Sequence, residues 1–205
     1  MSNSLSNDDG EVACLGCTRR VSDAEGNKLE VKLGSDGSVC CISGKIVGDP
    51  ETMPRPRGTI KWTSHKPYIQ YYNPKQSTVK ELSKKLKSLV ERADLLSVYS
   101  KDLPLMMVVY FHMKRPQADF KSNKRENGLK STAGHPWSPT KKDVDNLAKF
   151  ILDAGNNTLY EDDKSIVVLM GARVFHSEGL CDGCTYFRVK PLTSGDIETF
   201  DKTII

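Results

Sequence analysis

Apolar residues recur at helical spacing in two segments of the chain, and each segment predicts an amphipathic helix. The first helix is defined by Leu82, Leu86, Leu89, Val90 and Ala93, which share one face at 3.6 residues per turn. Residues 78–81 before it have the form of a capping box and predict its start. The second helix is defined by Leu147, Phe150, Ile151 and Ala154, and the sequence Gly-Asn-Asn at 155–157 is expected to end it.

Four apolar runs predict β-strands, at residues 39–47, 68–72, 105–113 and 166–174. The run at 105–113 is apolar throughout and predicts a central strand that is buried on both faces. Residues 186–189 predict a further strand that pairs with 166–174, with 176–184 as the tip of a long hairpin. A mixed β-sheet packed with two main helices predicts an α+β fold.

Composition divides the chain into three parts. Residues 1–37 are rich in Ser, Asn, Asp and Gly and poor in aromatic residues, which predicts an acidic extension that is poorly ordered or only locally folded. Residues 38–192 are expected to form the main domain, and 193–205 a polar tail. The chain has no apolar run of transmembrane length and no signal-peptide pattern. We therefore expect a reducing intracellular compartment, cytoplasm or nucleus, and no membrane partner.

The charges are unevenly distributed along the chain. The formal net charge is +4, with −3 in residues 1–42 and +7 in the remainder. A basic body predicts a polyanionic partner, although an ordinary solvated surface would give the same count. The bases that we expect to contact DNA lie in a proline-punctuated segment and at the end of a long polar connection: Arg55, Arg57, Lys61, Lys66, Lys141 and Lys142.

The polar connection spans residues 114–142 and holds eight lysines and arginines against two acidic residues. Connections of this length in a compact domain are usually functional or mobile. Because this one leads directly into an acidic motif, it is expected to face the substrate.

Acidic residues cluster at the start of the second helix and again after its end. Asp143 and Asp145 enter the helix, Lys149 follows one turn later, and Asp163 lies before the next strand. Three converging carboxylates repel one another and favour a cation, and Mg²⁺ takes such oxygen ligands together with water and substrate phosphate oxygens. Lys149 can neutralise charge on the reacting phosphate or hold the attacking water. The ordinary alternatives are a helix-capping aspartate and an i,i+4 ion pair between Asp145 and Lys149.

These motifs resemble the RusA family of Holliday-junction resolvases. The matching segments are Lys142-Asp143-Val144-Asp145-Asn146-Leu147-Ala148-Lys149, Leu152-Asp153-Ala154 and Tyr160-Glu161-Asp162-Asp163. The segments Ser-Gly-Lys at 43–45, Pro-Arg-Pro-Arg at 54–57 and Tyr-Asn-Pro-Lys at 72–75 are similar to the N-terminal half of family members. The resemblance spans residues 39–191.

The resemblance implies a Mg²⁺-dependent endodeoxyribonuclease of DNA recombination and repair. Family members act as homodimers and nick four-way junctions symmetrically, leaving 5′-phosphate ends. The resemblance assigns the catalytic, metal-binding aspartates to Asp143, Asp145 and Asp163, and the catalytic lysine to Lys149. The chain departs from the family at 155–157, where many relatives have Leu-Asn-Gly, and this turn must bring Asp163 to the site. Two other functions stay open: a non-catalytic DNA-binding module, and a nuclease of the same fold that acts on flaps or forks.

Four cysteines form two Cys-x-x-Cys pairs, Cys14 with Cys17 and Cys181 with Cys184. Such pairs predict a structural Zn²⁺ site if four thiolates meet. The 163 residues between the pairs are unlike a compact zinc finger and favour reduced thiols.

Overall fold

A computed structural model describes residues 17–54, 56–95, 99–137, 141–175 and 181–198 of the chain. Its two long α-helices are α1 (Gln76–Arg92) and α2 (Val144–Gly155). Its strands are β1 (Thr18–Ser22), β2 (Lys28–Leu33), β3 (Val39–Val47), β4 (Arg57–Trp62), β5 (Pro67–Tyr72), β6 (Leu105–Met113), β7 (Ile166–Phe175) and β8 (Cys184–Pro191). The mixed sheet and the two main helices confirm the predicted α+β fold.

Six of the strands form one sheet in the order β1-β2-β3-β8-β6-β7, and β4 and β5 form a separate hairpin. All neighbours in the large sheet are antiparallel except β6 and β7, which are parallel because α2 provides the crossover between them. The predicted pairing of 186–189 with 166–174 is therefore wrong. Strand β8 pairs with β6 and β3, and β6 separates it from β7.

The hydrophobic core lies between the sheet and the helices, and it uses one face of β6. Residues Leu105, Met107, Val109, Phe111 and Met113 are buried, and the four residues between them are only half-buried. The prediction that β6 is buried on both faces is wrong, because the helices cover one face of the sheet and none of the described elements covers the other.

The N-terminal part of the chain is more ordered than its composition predicts. Strands β1 and β2 lie in the sheet, so the predicted boundary at residue 37 falls between two paired strands, β2 and β3. Leu29 and Val31 are buried, whereas Lys28 and Glu30 point to the other face, which is the alternation of a half-buried strand. The Arg19 guanidinium donates to the Ala93 carbonyl at 2.8 Å and fixes β1 to the end of α1. Residues 1–16 lie outside the described residues.

Two predicted local boundaries are also corrected. Helix α1 begins at Gln76, and no side chain caps it, so the predicted capping box at 78–81 does not start the helix. The Asn73 side chain instead accepts the Lys75 amide at 3.0 Å, and this turn starts the helix earlier. The proline-punctuated segment gives way at Arg57 to strand β4, which holds Lys61; Arg55 lies outside the described residues.

Several residues of the long connection anchor it to the body of the protein, although most of its described residues are exposed. Phe120 is fully buried, and Arg115 is 3% exposed, with its guanidinium paired to Asp119 at 3.0 Å. Arg125 pairs with Asp182 at 2.8 Å. Phe175 donates its amide to the Pro136 carbonyl at 2.8 Å, which fixes the far end of the connection to β7. These contacts fix parts of the connection, the expectation that it faces the substrate stays a prediction, and Lys141 near its end is exposed.

The predicted polar tail begins with a helical turn at residues 194–198, joined to β8 by an ion pair of 2.6 Å between Lys190 and Asp196. Residues 199–205 lie outside the described residues. Within the described ranges, none of the helices has the length and apolar character needed to cross a membrane.

Candidate active site

Asp143 is the N-cap residue of α2, and its carboxylate does not cap the helix. Its backbone is extended, with φ −74° and ψ 143°, and its carbonyl accepts the Leu147 amide at 3.1 Å. The side chain makes no capping hydrogen bond and is exposed. The capping alternative for this aspartate is therefore not observed, and the carboxylate is available to a ligand.

Asp145 and Lys149 both lie on the exposed side of α2, one turn apart. Asp145 is already helical, in the first turn, so the extended segment that leads into the helix ends at Asp143. Among the described residues, no salt bridge joins Asp145 to Lys149 or to any other base. The ion-pair alternative for Asp145 and Lys149 is therefore not observed either.

The segment before Asp145 is held by side chains from distant strands and loops. The Lys142 ammonium bonds the Asp49 carboxylate and the Pro50 carbonyl, each at 2.6 Å. The Arg173 guanidinium of β7 donates to the Lys142 carbonyl at 2.5 Å. Met53 donates its amide to the Asn146 carbonyl at 2.9 Å. These contacts fix the helix entry, and they give Lys142 a structural role that its sequence position did not reveal.

The turn after α2 is built around Gly155 and Tyr160. The buried Tyr160 hydroxyl donates to the Leu152 carbonyl at 2.9 Å. A Cβ at Gly155 would lie 2.5 Å from that hydroxyl, so only glycine allows the ring to pack there. The left-handed residue of the turn is Asn157, with φ 56°. The Gly-Asn-Asn departure thus forms a defined turn that places residues 160–163 against α2.

Asp162 and Asp163 have different surroundings. The Asp162 carboxylate accepts the Lys164 amide at 3.0 Å and caps the short 3-10 helix Asp163–Ser165. Asp163 is half-buried, and burial together with the carboxylates of Asp162 and Asp153 raises its pKa. Since Asp162 is used as a cap, the arrangement favours Asp163 as the residue available to a cation.

Asp153 is a residue that the sequence predictions did not place in the site. It lies one turn beyond Lys149 on α2; burial raises its pKa, and the Lys149 ammonium opposes that rise. Its charge also contributes to the raised pKa of Asp163 and to the raised pKa of the buried Tyr160. The four-residue spacing from Asp145 through Lys149 to Asp153 was the available indication in the sequence.

The side chains fit a hard cation in chemistry, but in the described part of the chain they do not form a closed ligand set. Carboxylate oxygens are the donors that Mg²⁺ prefers. Burial, followed by the carboxylates of Asp162 and Asp153, raises the pKa of Asp163, and the Lys164 ammonium opposes that rise. However, no group of three or more His, Cys, Asp or Glu in the described ranges is close enough to hold a metal ion. Asp163 lies towards Asp153, near the end of α2 opposite to Asp143.

The positions of the cysteines argue against the predicted zinc site. Cys14 lies outside the described residues. The Sγ atoms of Cys181 and Cys184 are 3.8 Å apart. Cys184 of β8 lies beside Val47 of β3 in the sheet. Cys17 directly precedes Thr18 of β1, and Thr18 lies at the level of Cys41 in β3, because both are paired with Lys32 of β2. Six residues of strand separate Cys41 from Val47, or about 20 Å, so Cys17 and the second pair lie too far apart to share a metal.

Comparison with protein families assigns the part of the chain that contains α2 to a family. A family model described as endodeoxyribonuclease RusA matches residues 48–180, which include all four candidate catalytic residues. The chain belongs to this family. A curated relative, the uncharacterized protein YqaN of Bacillus subtilis (strain 168), is 27% identical over 138 residues, which are 67% of this chain and 90% of the relative. Membership in the RusA family implies nuclease activity of the Holliday-junction resolvase kind and binding to branched DNA.

Proposed function

We propose that this RusA-family protein is a Mg²⁺-dependent endodeoxyribonuclease that nicks four-way DNA junctions symmetrically. One observation carries the proposal. The carboxylates of Asp143 and Asp145 are exposed at the entry to α2 and, within the described ranges, neither forms an ion pair or caps the helix. Unneutralised carboxylates this close in sequence are costly unless a cation or another ligand joins them.

Asp143 and Asp145 would hold the cation, and Asp163 would have to move towards the entry of α2 to supply a third carboxylate. Mg²⁺ is often bound by one or two carboxylates, with waters and substrate phosphates completing the shell, so the site need not be closed before DNA binds. When bound, the ion would polarise the scissile phosphate and lower the pKa of a coordinated water. A cation near Asp163 would also offset the effects of burial and of Asp153 that raise its pKa.

Lys149 is the base best placed to act on the phosphate. Its ammonium is exposed on the same helix, one turn after Asp145, and no salt bridge among the described residues occupies it. A positive charge at this position would stabilise the negative charge that develops on the phosphate during hydrolysis. Its second neighbour, Asp153, would orient the ammonium from the next turn.

The DNA would reach the site along exposed lysine and arginine side chains. Arg57 and Lys61 lie on β4, Lys66 lies in the following turn, and Lys141 precedes α2; all four are exposed. Exposed lysine and arginine side chains are the residues that neutralise backbone phosphates and make binding dependent on salt. Lys142 would contribute less, because its ammonium is engaged by Asp49.

Paired nicks require two active sites, and the β4–β5 hairpin is a candidate contact between two copies. One face of this hairpin carries Ile60, Trp62, Ile69 and Tyr71, which are 64%, 77%, 56% and 70% exposed. A two-stranded hairpin with two uncovered faces is marginally stable in water. Packing of this apolar face on a second copy would bury it, and sedimentation velocity of Ile60→Ser/Trp62→Ser would then show a shift towards monomer.

A cleavage panel tests the function. Four-way junctions, flaps, forks and linear duplexes are incubated with Mg²⁺, and the positions of the nicks are mapped on each strand. We expect symmetric nicks in the junction, which disappear in Asp145→Asn and persist in Lys84→Met on the exposed face of α1. Salt-dependent binding without cleavage would indicate a non-catalytic module, and preferred cutting of flaps or forks would indicate the other open function. Normal cutting by Asp145→Asn would contradict the site assignment.

A further inference from the structure

The open face of the six-stranded sheet carries aligned rows of side chains. Strand register places paired residues on the same face, and two neighbouring rows run across β1, β2, β3, β8 and β6. One row is Ser22, Lys28, Lys45, Tyr186 and Tyr110, and the other is Arg20, Glu30, Ser43, Arg188 and Val108. The residues between them in each strand point to the helices on the opposite face.

These rows are basic. The two rows contain one acidic residue, Glu30, which is paired with Arg20 at 2.6 Å. They contain four basic residues: Arg20, Lys28, Lys45 and Arg188. Arg20, Lys28 and Arg188 are exposed. In the next row, Lys190 is already paired with Asp196. After the Arg20–Glu30 pair is discounted, Lys28, Lys45 and Arg188 leave the two rows with an excess of positive charge.

Aromatic rings lie among these bases. Tyr186 is 40% exposed on the open face. Its ring lies edge-on to His112 at a centroid distance of 5.4 Å, and His112 in turn lies 5.1 Å from the half-buried Tyr110. The Lys45 ammonium lies 5.5 Å from the Tyr186 centroid. The rings are therefore held by one another and by a base, and Tyr186 still offers part of its surface to a ligand.

A groove of about 570 Å³ runs between these side chains, lined by Arg20, Lys28, Lys45, Tyr110, Tyr186 and Arg188. Its volume lies within the range of ligand-binding clefts. Stacking surface combined with a basic groove is the chemistry that binds unpaired nucleotides, whose bases stack on rings while their phosphates meet lysine and arginine. We propose that this groove binds a single-stranded segment of DNA, separately from the active site on α2.

A single strand fits this surface better than a duplex does. The bases of a duplex stack on one another, so a duplex would use the lysines and arginines and leave the tyrosine rings without a role. The bases of an unpaired strand are free to stack on aromatic side chains, independently of sequence. The proposal rests on the proposed function only in the choice of DNA over RNA as the polyanion.

The groove is distinct from the part of the chain that defines the family. The four lysine and arginine residues of the groove and Tyr186 come from β1, β2, β3 and β8. These strands lie outside the matched residues 48–180. The helix with the candidate catalytic residues packs on the other side of the sheet, against β7. A strand held in the groove would therefore be an additional contact of the same DNA substrate, away from the cleaved phosphate.

Binding of a fluorescent 15-nucleotide oligo-dT to the full chain, without divalent ions, tests the proposal. Lys45→Glu/Arg188→Glu is expected to lower the affinity by at least about tenfold and to flatten the salt dependence. Lys84→Glu/Lys87→Glu has the same charge change on the exposed face of α1 and is expected to alter the affinity by less than about threefold. Thermal unfolding confirms that each variant is folded before binding is compared.

A second pair of variants tests the ring itself. Tyr186→Phe keeps the stacking surface and should bind within about twofold of the unaltered protein, whereas Tyr186→Leu should lose about tenfold. Equal effects of the two charge-reversal pairs, or no difference between Tyr186→Phe and Tyr186→Leu, would overturn the proposal. So would a 15-base-pair duplex that binds as tightly as the oligonucleotide and is weakened equally by Tyr186→Leu.

Two further readouts distinguish a DNA-binding groove from an interface between copies of the chain and from the nuclease site. Sedimentation velocity shows whether Lys45→Glu/Arg188→Glu changes the oligomeric state while leaving oligonucleotide affinity intact, in which case the face is an interface between copies and the proposal fails. Junction cleavage is measured in parallel. Loss of oligonucleotide binding in variants that still cut supports the groove, and oligonucleotide binding retained by Asp145→Asn shows that the groove is independent of the nuclease site.

Discussion

Asp162 and Asp163 are adjacent in the sequence, and the fold gives them different roles. The Asp162 carboxylate accepts the Lys164 amide at 3.0 Å and so caps a 3-10 helix. Asp163 lies within that helix, half-buried, with its pKa raised by burial and by the carboxylates of Asp162 and Asp153. The two aspartates that end the family motif therefore differ in the structure: one caps a 3-10 helix, and the other is half-buried within it.

This difference predicts opposite outcomes for the two isosteric substitutions. Asp163→Asn should lower junction cleavage by roughly 10²-fold or more, the loss seen when a preorganised electrostatic partner is removed, with little loss of stability. Asp162→Asn should keep most of the activity, and Asp162→Ala should lower stability through the lost cap. Cleavage rates and urea unfolding measure the two effects. Equal loss of activity in both Asn variants would contradict the assignment.

The contact between Gly155 and Tyr160 predicts that the turn after α2 does not tolerate a side chain. A Cβ at residue 155 would lie 2.5 Å from the Tyr160 hydroxyl and 2.8 Å from Cζ. Gly155→Ala should therefore cost roughly 1–3 kcal/mol, as overpacked sites do, and should lower cleavage because residues 160–163 must shift. Urea unfolding and cleavage rates would measure both effects.

The double variant Gly155→Ala/Tyr160→Phe tests the cause of that loss. It removes the nearest atom, so its destabilisation should be smaller than the sum of the two single effects. Gly195→Ala is a matched control, because a Cβ there would meet nothing closer than 4.0 Å. Full additivity in the double variant would show that the clash is not the cause.

Local patterns predicted those elements whose periodicity is strong, and they failed where a distant partner decides. The stripes of α1 and α2 and the strand at 105–113 were correct because each repeats over several residues. The position of β8 was not predictable, because the crossover through α2 gives β7 to one edge of β6 and leaves the other edge to β8. Composition did not indicate β1 and β2, because their outward residues are polar and their buried residues are few.

The candidate site shows the same division. The acidic motif and Lys149 could be recognised from spacing and resemblance, whereas the partners of these residues could not. Asp49, which engages Lys142, lies 93 residues away in the sequence. The sequence did not place Asp153 in the site. In the structure, the turn at Gly155 places Asp163 near Asp153.

Lys141 and Lys142 should respond differently to the same substitution, although both were predicted to bind DNA. Lys141 is exposed, so Lys141→Met should weaken junction binding several-fold and reduce the slope of log affinity against log salt by about 1. Lys142→Met should instead cost about 1–2 kcal/mol of stability, because it removes hydrogen bonds to Asp49 and Pro50. Fluorescence anisotropy over a salt series and urea unfolding separate the two effects. A larger loss of affinity in Lys142→Met would reverse the assignment.

The ion pair between Lys190 and Asp196 predicts a pH-dependent contribution to stability at the C-terminal end of the sheet. Although burial opposes ionisation, hydrogen bonds from Lys190 and Thr193 lower the pKa of Asp196 to about 2 from its usual 3.8. Because the folded-state pKa lies below the unfolded value, the contribution is complete above about pH 4 and is lost as the pH falls towards 2. Asp196→Asn should therefore cost about 1–2 kcal/mol at pH 7, and this cost should shrink between pH 4 and 2.5. Urea unfolding of both proteins across that range measures the difference.

Glu198→Gln, at an exposed position two residues on, is the control and should leave stability unchanged. A cost for Asp196→Asn that stays constant down to pH 2.5 would show that packing, and not charge, holds this segment to β8.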